Sequence, residues 1–198
     1  MKRIIGLALL VLCFAAPSLM AQAVSGGGDH VEVGVFADYF KLSRTTPDIN
    51  SFGVGGRAGF NVSPHVQLEA EMSYDFERNF TSTFSNGFTT QFVSTRLHTL
   101  HALFGPKFQT NAGPLRAFAV FKAGLINFST STGSVGQGFQ GSLGSVTTGD
   151  TRAAIYPGLG VEGFVGPVGL RLDVGDEIYF DNGARHNLKV TFGPHFRF

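Results

Sequence analysis

The sequence predicts an all-β fold, an eight-stranded antiparallel up-and-down transmembrane β-barrel, and three observations predict it. Apolar and polar residues alternate with a two-residue period through successive stretches of the chain, the mark of strands with two unlike faces. One set of alternate positions is almost free of charge, whereas the other carries acids and bases. After residue 23 no run approaches the ~20 apolar residues of a spanning helix. A chain that crosses lipid without helices must close its strands into a barrel, where every backbone group finds a partner.

Residues 1–23 read as a secretory signal cleaved after Ala23. Lys2 and Arg3 give a positive start, Ile4 to Ala16 is apolar, and Ala21-Gln22-Ala23 is a small-x-small cleavage site. Cys13, the one cysteine, leaves with it; bulky Leu12 before it does not suit a lipid-attachment signal. The signal holds two of the 15 basic residues and none of the 14 acidic ones, so residues 24–198 carry 13 against 14, a net of −1. A near-neutral chain without a basic patch is not built for nucleic acid. With no cysteine, the exported domain draws its stability from something other than disulfides. The 27 glycines and 21 phenylalanines of the whole chain suit twisted strands better than helices.

Strand one, Val31 to Lys41, sets Val31, Val33, Val35, Ala37 and Tyr39 against Glu32, Gly34, Phe36 and Asp38. Ser43 to Ser51 is polar, contains Pro47, and reads as a loop. Strand two, Phe52 to Val62, opposes Phe52, Val54, Ala58 and Phe60 to Gly53, Gly55, Arg57, Gly59 and Asn61, and Ser63-Pro64 marks a tight turn. Strand three is the cleanest: Val66, Leu68, Ala70, Met72, Tyr74 and Phe76 alternate with Gln67, Glu69, Glu71, Ser73, Asp75 and Glu77. A face with so many carboxylates cannot enter an apolar core unpaired. Arg78 to Gln91 reads as a polar loop, and strand four, Phe92 to Gln109, sets Leu100, Ala102, Phe104, Pro106 and Phe108 against His101, Gly105 and Lys107.

Thr110 to Pro114 turns. Strand five, Leu115 to Phe128, opposes Leu115, Ala117, Ala119, Phe121, Ala123 and Leu125 to Arg116, Phe118, Val120 and Lys122. Ser129 to Asp150 is the longest loop, rich in Ser, Thr and Gly. Strand six, Ala153 to Val165, faces Ile155, Pro157, Leu159 and Val161 away from Tyr156, Gly158, Gly160 and Glu162. After the short Gly166-Pro167 turn, strand seven runs to Gly175 with Arg171 and Asp173 opposite Val168, Leu170, Leu172 and Val174. A link at Asp181 to Arg185 leads to the final strand. There Leu188, Val190, Phe192, Pro194, Phe196 and Phe198 alternate with Lys189, Thr191, Gly193, His195 and Arg197.

Connections after strands one, three, five and seven are polar and mostly longer, and those after two, four and six are tight. That alternation belongs to an up-and-down barrel with quick turns on one membrane face, and an even strand count puts both termini on that side. A soluble calycin-like carrier of an apolar ligand shares the strand count but points its apolar face inward. The missing tryptophan and cysteine, and the terminal Phe198, favour the membrane form.

The signal, the alternating strands and the ending Phe192-Gly-Pro-His-Phe-Arg-Phe198 resemble the small OmpA/OmpX-type, opacity-like outer-membrane barrels. The resemblance implies a Gram-negative outer-membrane location and an assembly signal at Phe198, supported by Phe196, that the barrel assembly machinery reads. It also implies a structural or adhesive role rather than an enzymatic one, with a lipid-modifying barrel enzyme as the alternative. Eight strands leave a bore that side chains can fill. The inward charges, Glu32, Arg57, Glu69, Glu71, Lys107, Lys122, Glu162, Arg171, Asp173, Lys189 and Arg197, are therefore expected to form a lumenal ion-pair network, not a pore.

No catalytic, cofactor or metal site is predicted. Gly53-Val-Gly-Gly-Arg-Ala58 mimics a dinucleotide fingerprint without the helix that fingerprint needs. His98 and His101 lie three apart on a strand and so on opposite faces. Specific function then falls to the loops, where Phe80, Phe84 and Phe88 recur every four residues and suggest a sticky surface for adhesion or lipopolysaccharide contact. The expected partners are outer-membrane lipid, lipopolysaccharide, the assembly machinery and an extracellular surface, with the protein itself a monomer.

Overall fold

The computed structural model describes residues 30–43, 49–85, 90–110, 114–132, 140–141, 150–181 and 183–198; side chains are described for all of these except 79–85, 90–95, 130–132 and 140–141. The signal expected at residues 1–23 lies outside them. Eight strands form the wall: β1 Val31–Leu42, β2 Ile49–Ser63, β3 Val66–Ser85, β4 Thr90–Gln109, β5 Leu115–Thr132, β6 Asp150–Val165, β7 Val168–Asp176 and β8 Leu188–Arg197. Each pairs antiparallel with its sequence neighbours, and β8 pairs with β1, from Glu32↔Arg197 to Lys41↔Leu188. The ring is closed. At its turn end the His30 N–H donates to the Phe198 carbonyl (2.7 Å) and the Phe198 N–H to the Val31 carbonyl (2.8 Å), which ties the two chain ends together.

The tight connections have local causes. Ser63 Oγ accepts from the backbone N–H groups of His65 (3.3 Å) and Val66 (3.1 Å), which folds the chain at Pro64. Gly166 adopts φ of 63°, and Pro167 follows with its ring-fixed negative φ, the order that a glycine-first hairpin turn requires.

Facing is the observation that decides between the two barrel readings. Lys107, Lys122 and Lys189 are 0% exposed, whereas Val35 is 61%, Phe121 51% and Leu159 68% exposed. A soluble carrier would bury the aliphatics and solvate the lysines; here the apolar residues form the outer band that only lipid can cover. The calycin alternative is thereby overturned.

Three expected loops are shorter than the sequence suggests. β2 starts at Ile49, inside the stretch read as loop; β3 runs on to Ser85 and β4 begins at Thr90, so most of Arg78 to Gln91 is hairpin ladder. β5 continues to Thr132, and the two-residue strand Gln140–Gly141 pairs with Phe84 and Ser85. Polar Ser- and Thr-rich segments make good strands beyond the lipid, where neither face needs to be apolar. A bulge between Asp75 and Arg78 turns Glu77 outward to Arg96 (3.4 Å), correcting its expected inward place. β7 is prolonged past Glu177 by Ile178–Phe180 on β6, and Ala184–Arg185 folds back on that extension, so the expected link is itself a small hairpin.

Two Gly-Pro pairs interrupt the wall. The β4–β5 ladder skips Gly105 and Pro106, and the β8–β1 ladder skips Gly193 and Pro194, because proline has no N–H to give. The glycine beside each proline lets the facing carbonyl come close: a Cβ at Gly193 would overlap the Val35 carbonyl oxygen, and one at Gly105 that of Phe121. Gly193→Ala is expected to destabilise the barrel by about 1–3 kcal/mol through overpacking against backbone. Gly56→Ala, whose added carbon meets nothing nearer than 3.7 Å, should leave the urea midpoint unchanged.

Candidate functional site

The barrel's interior is its most distinctive site, and the two-residue period builds it. Every second side chain points into a bore only eight strands wide, so charges from strands far apart in sequence meet there. They form three tiers between the turn end and the loop end.

Nearest the turns, Lys107 (β4) lies 2.8 Å from Glu162 (β6) and 3.3 Å from Glu32 (β1). Arg116 (β5) lies 2.7 Å from Glu32 and 3.4 Å from Glu162. The middle tier centres on Glu69 (β3), whose two oxygens accept from both terminal nitrogens of Arg171 (β7), while Lys122 (β5) also reaches it. Arg171 continues to Asp173 (2.8 Å), which also accepts the Tyr156 hydroxyl (2.7 Å) and lies 3.6 Å from Arg57. Lys122 bonds Glu71, and Arg57 donates to Thr191 Oγ1 (2.7 Å) while its guanidinium sits 4.2 Å from the Phe36 ring centre. Toward the loops, Lys189 (β8) serves Glu177 (3.1 Å), Glu71 (3.4 Å) and Asp38 (3.6 Å), and His101 lies between Glu177 (2.6 Å) and Asp75 (3.2 Å).

An ion in such a place is tolerable where it is paired; a lone buried charge would cost several kcal/mol. Above the charges the bore turns apolar: Phe40, Leu42, Leu97, Ile126, Phe128 and Tyr179 pack together, with Phe128 and Tyr179 ring centres 5.1 Å apart.

The up-and-down barrel has counterparts among known proteins. Residues 6–196 match the family described as "Outer membrane protein beta-barrel domain". The chain belongs to that family. Among solved structures, Neisserial surface protein A matches with a TM-score of 0.59 at 12% identity, over 87% of this chain and 100% of that one. The N-terminal β-barrel domain of Pseudomonas aeruginosa OprF matches at 0.53 and 16% identity (87% and 100% covered). Ail, the attachment invasion locus protein of Yersinia pestis, solved with the heparin analogue sucrose octasulfate, matches at 0.51 and 14% identity (85% and 97% covered). No curated protein matches the sequence. At these identities the structural likenesses show the fold, and membership of the outer membrane protein beta-barrel domain family places the chain in the bacterial outer membrane.

Within this family member, the sequence-predicted charges Glu32, Arg57, Glu69, Glu71, Lys107, Lys122, Glu162, Arg171, Asp173 and Lys189 all come together in the tiers described. Arg197 lies at the turn-end rim, where it donates to the Gly166 carbonyl (3.0 Å) and its guanidinium sits 4.4 Å from the Phe164 ring centre. Phe196 and Phe198 face outward at the same end. Phe80 and Phe84 are strand residues of β3, paired with Thr95 and Gln91, and not loop residues; Phe88 lies outside the described residues.

Glu177 escapes a sequence reading that ends the seventh strand at Gly175. Carrying the inward positions Arg171, Asp173 and Gly175 on by two finds it, and Tyr179 after it.

Proposed function

We propose that this protein is a non-enzymatic outer-membrane barrel whose bore is shut by its own side chains, and that it serves as a rigid mount for segments that contact an extracellular surface. One observation carries the first part. Ion pairs join strands on opposite sides of the ring: Glu69 of β3 with Arg171 of β7, and Glu32 of β1 with Arg116 of β5. Such ties run through the middle of the bore, where a solute would pass, and Lys107 and Lys122 fill the space beside them.

The second part rests on where variation is free. The wall is fixed by lipid outside and ion pairs inside, which leaves the loop-end connections to carry specificity. Attachment, named for Ail, is the precedent for a barrel of this fold. In the same reading a signal is cleaved after Ala23, Phe198 with Phe196 guides assembly, lipopolysaccharide surrounds the loop end, and the barrel works as a monomer.

Removing residues 86–89 and 142–149 tests the mount. The trimmed barrel should still run faster unboiled than boiled on a gel, and cells carrying it should lose binding to host surfaces or to lipopolysaccharide. Unchanged binding would end the adhesion reading.

A further inference from the structure

The loop-end tier contains a group that its own ion pairs leave incomplete. Asp38 (β1), Asp75 (β3) and His101 (β4) are 2%, 0% and 0% exposed, and a ligand atom from each lies within 4.8 Å of the other two. His101 is held from behind. Its Nδ1 is 2.6 Å from Glu177 Oε1, where the nitrogen donates, and this turns Nε2 toward Asp75 Oδ2 at 3.2 Å. An imidazole fixed by a carboxylate in this way is aimed so that, once Nε2 gives up its proton, the lone pair points at a cation between it and Asp75. In the metal-free ring a proton on Nε2 serves Asp75, and that proton is the one a metal ion would replace.

The aspartates show a shortfall of partners. Neither oxygen of Asp38 and not Oδ1 of Asp75 has a hydrogen-bond partner. The cation beside Asp38, Lys189 Nζ at 3.6 Å, is shared with Glu71 and Glu177. Asp38, Asp75 and Glu177 thus present three negative charges to the Lys189 ammonium and to a His101 ring that donates from both nitrogens, a shortfall of one. Buried carboxylates of this kind need a counter-charge or a bond.

We infer that Asp38, Asp75 and His101 form a binding site for a divalent transition-metal ion, bound through one oxygen of each aspartate and through His101 Nε2, with Glu177 orienting the ring. A divalent ion that takes the place of the His101 Nε2 proton cancels the shortfall, since Lys189 and the ion then carry three positive charges against the three carboxylates. Metal–ligand bonds of about 2.0–2.2 Å bring donor atoms to roughly 3–4 Å from one another, which needs only small movements from the present spacing. One imidazole with two carboxylates suits zinc or manganese better than calcium or magnesium. The Phe40 ring, 4.8 Å from His101, and the apolar layer beyond it cover the site on the loop side. An ion taken up as the barrel folds would therefore leave slowly and would lock β1, β3 and β4 together. Sequence spacing alone could not suggest this site, because its donors come from three strands.

The test is to refold the full barrel into detergent with Zn2+, remove free metal by gel filtration, and measure bound zinc. Wild type should retain about one zinc per chain. Asp38→Asn and His101→Gln, each checked for the folded fast-running band, should bind about 10–100-fold more weakly. Wild type without bound zinc, or folded variants that keep it, would overturn the site. If neither variant folds, 15N NMR of wild-type His101 decides: Nε2 must change from a protonated to a metal-bound signal when Zn2+ is added, and a ring that stays doubly protonated overturns the site.

Discussion

Arg171→Ala should unfold at a markedly lower urea concentration than wild type, a loss of about 3–5 kcal/mol, the usual effect of removing one partner from a buried ion pair. Arg171 is the hub of the middle tier. Without it Glu69 keeps Lys122 as its direct ion pair among the described residues, and Asp173 keeps Tyr156 with the more distant Arg57. The Phe118 ring, 4.1 Å from the guanidinium, loses its stacked cation as well. The double variant Glu69→Gln/Arg171→Met should lose much less than the sum of its single changes, because it leaves no carboxylate orphaned at position 69. Equilibrium unfolding in detergent micelles, followed by the unboiled gel band, reads both. A small loss for Arg171→Ala would show that water already reaches the tier.

Phe121→Arg should cost about 2–4 kcal/mol, the effect of an arginine near the bilayer midplane on the lipid face of a barrel. Phe121 is outward on β5, opposite Pro157, and roughly 15 Å from the turn end given the rise and tilt of barrel strands. The adjacent Lys122→Phe should also destabilise, for the opposite reason, since it takes the cation from Glu69 and Glu71. Neighbouring positions thus reject each other's chemistry. Comparable folding of Phe121→Arg and wild type in phospholipid vesicles would contradict the outward placement.

How much of this could be read from the chain depended on lipid. Within the membrane the outer face must be apolar, so β3 and β8 announce themselves and their inward residues follow by parity; Glu69, Glu71 and Lys189 needed nothing more. Beyond the membrane that constraint ends. The ladder from Arg78 to Ser85 therefore looks like loop, and Phe80 and Phe84 look like loop aromatics when they are strand positions. Alternation gives Arg197 its face but not its depth, and its place at the turn-end rim beside Phe164 could not be read from it. The partners across the bore were equally hidden. That Arg171 meets Glu69 from the far side of the ring depends on strand stagger and barrel closure, which no local pattern encodes.

Ties such as Glu69–Arg171 and Glu32–Arg116 should leave no path for ions through the bore. Single-channel recording of the purified, folded barrel in a planar bilayer tests that directly. Wild type should give a flat trace with no stable current steps. Long-lived, uniform steps from the folded wild-type protein would mean an open path through the tiers, and the closed-bore account would be wrong.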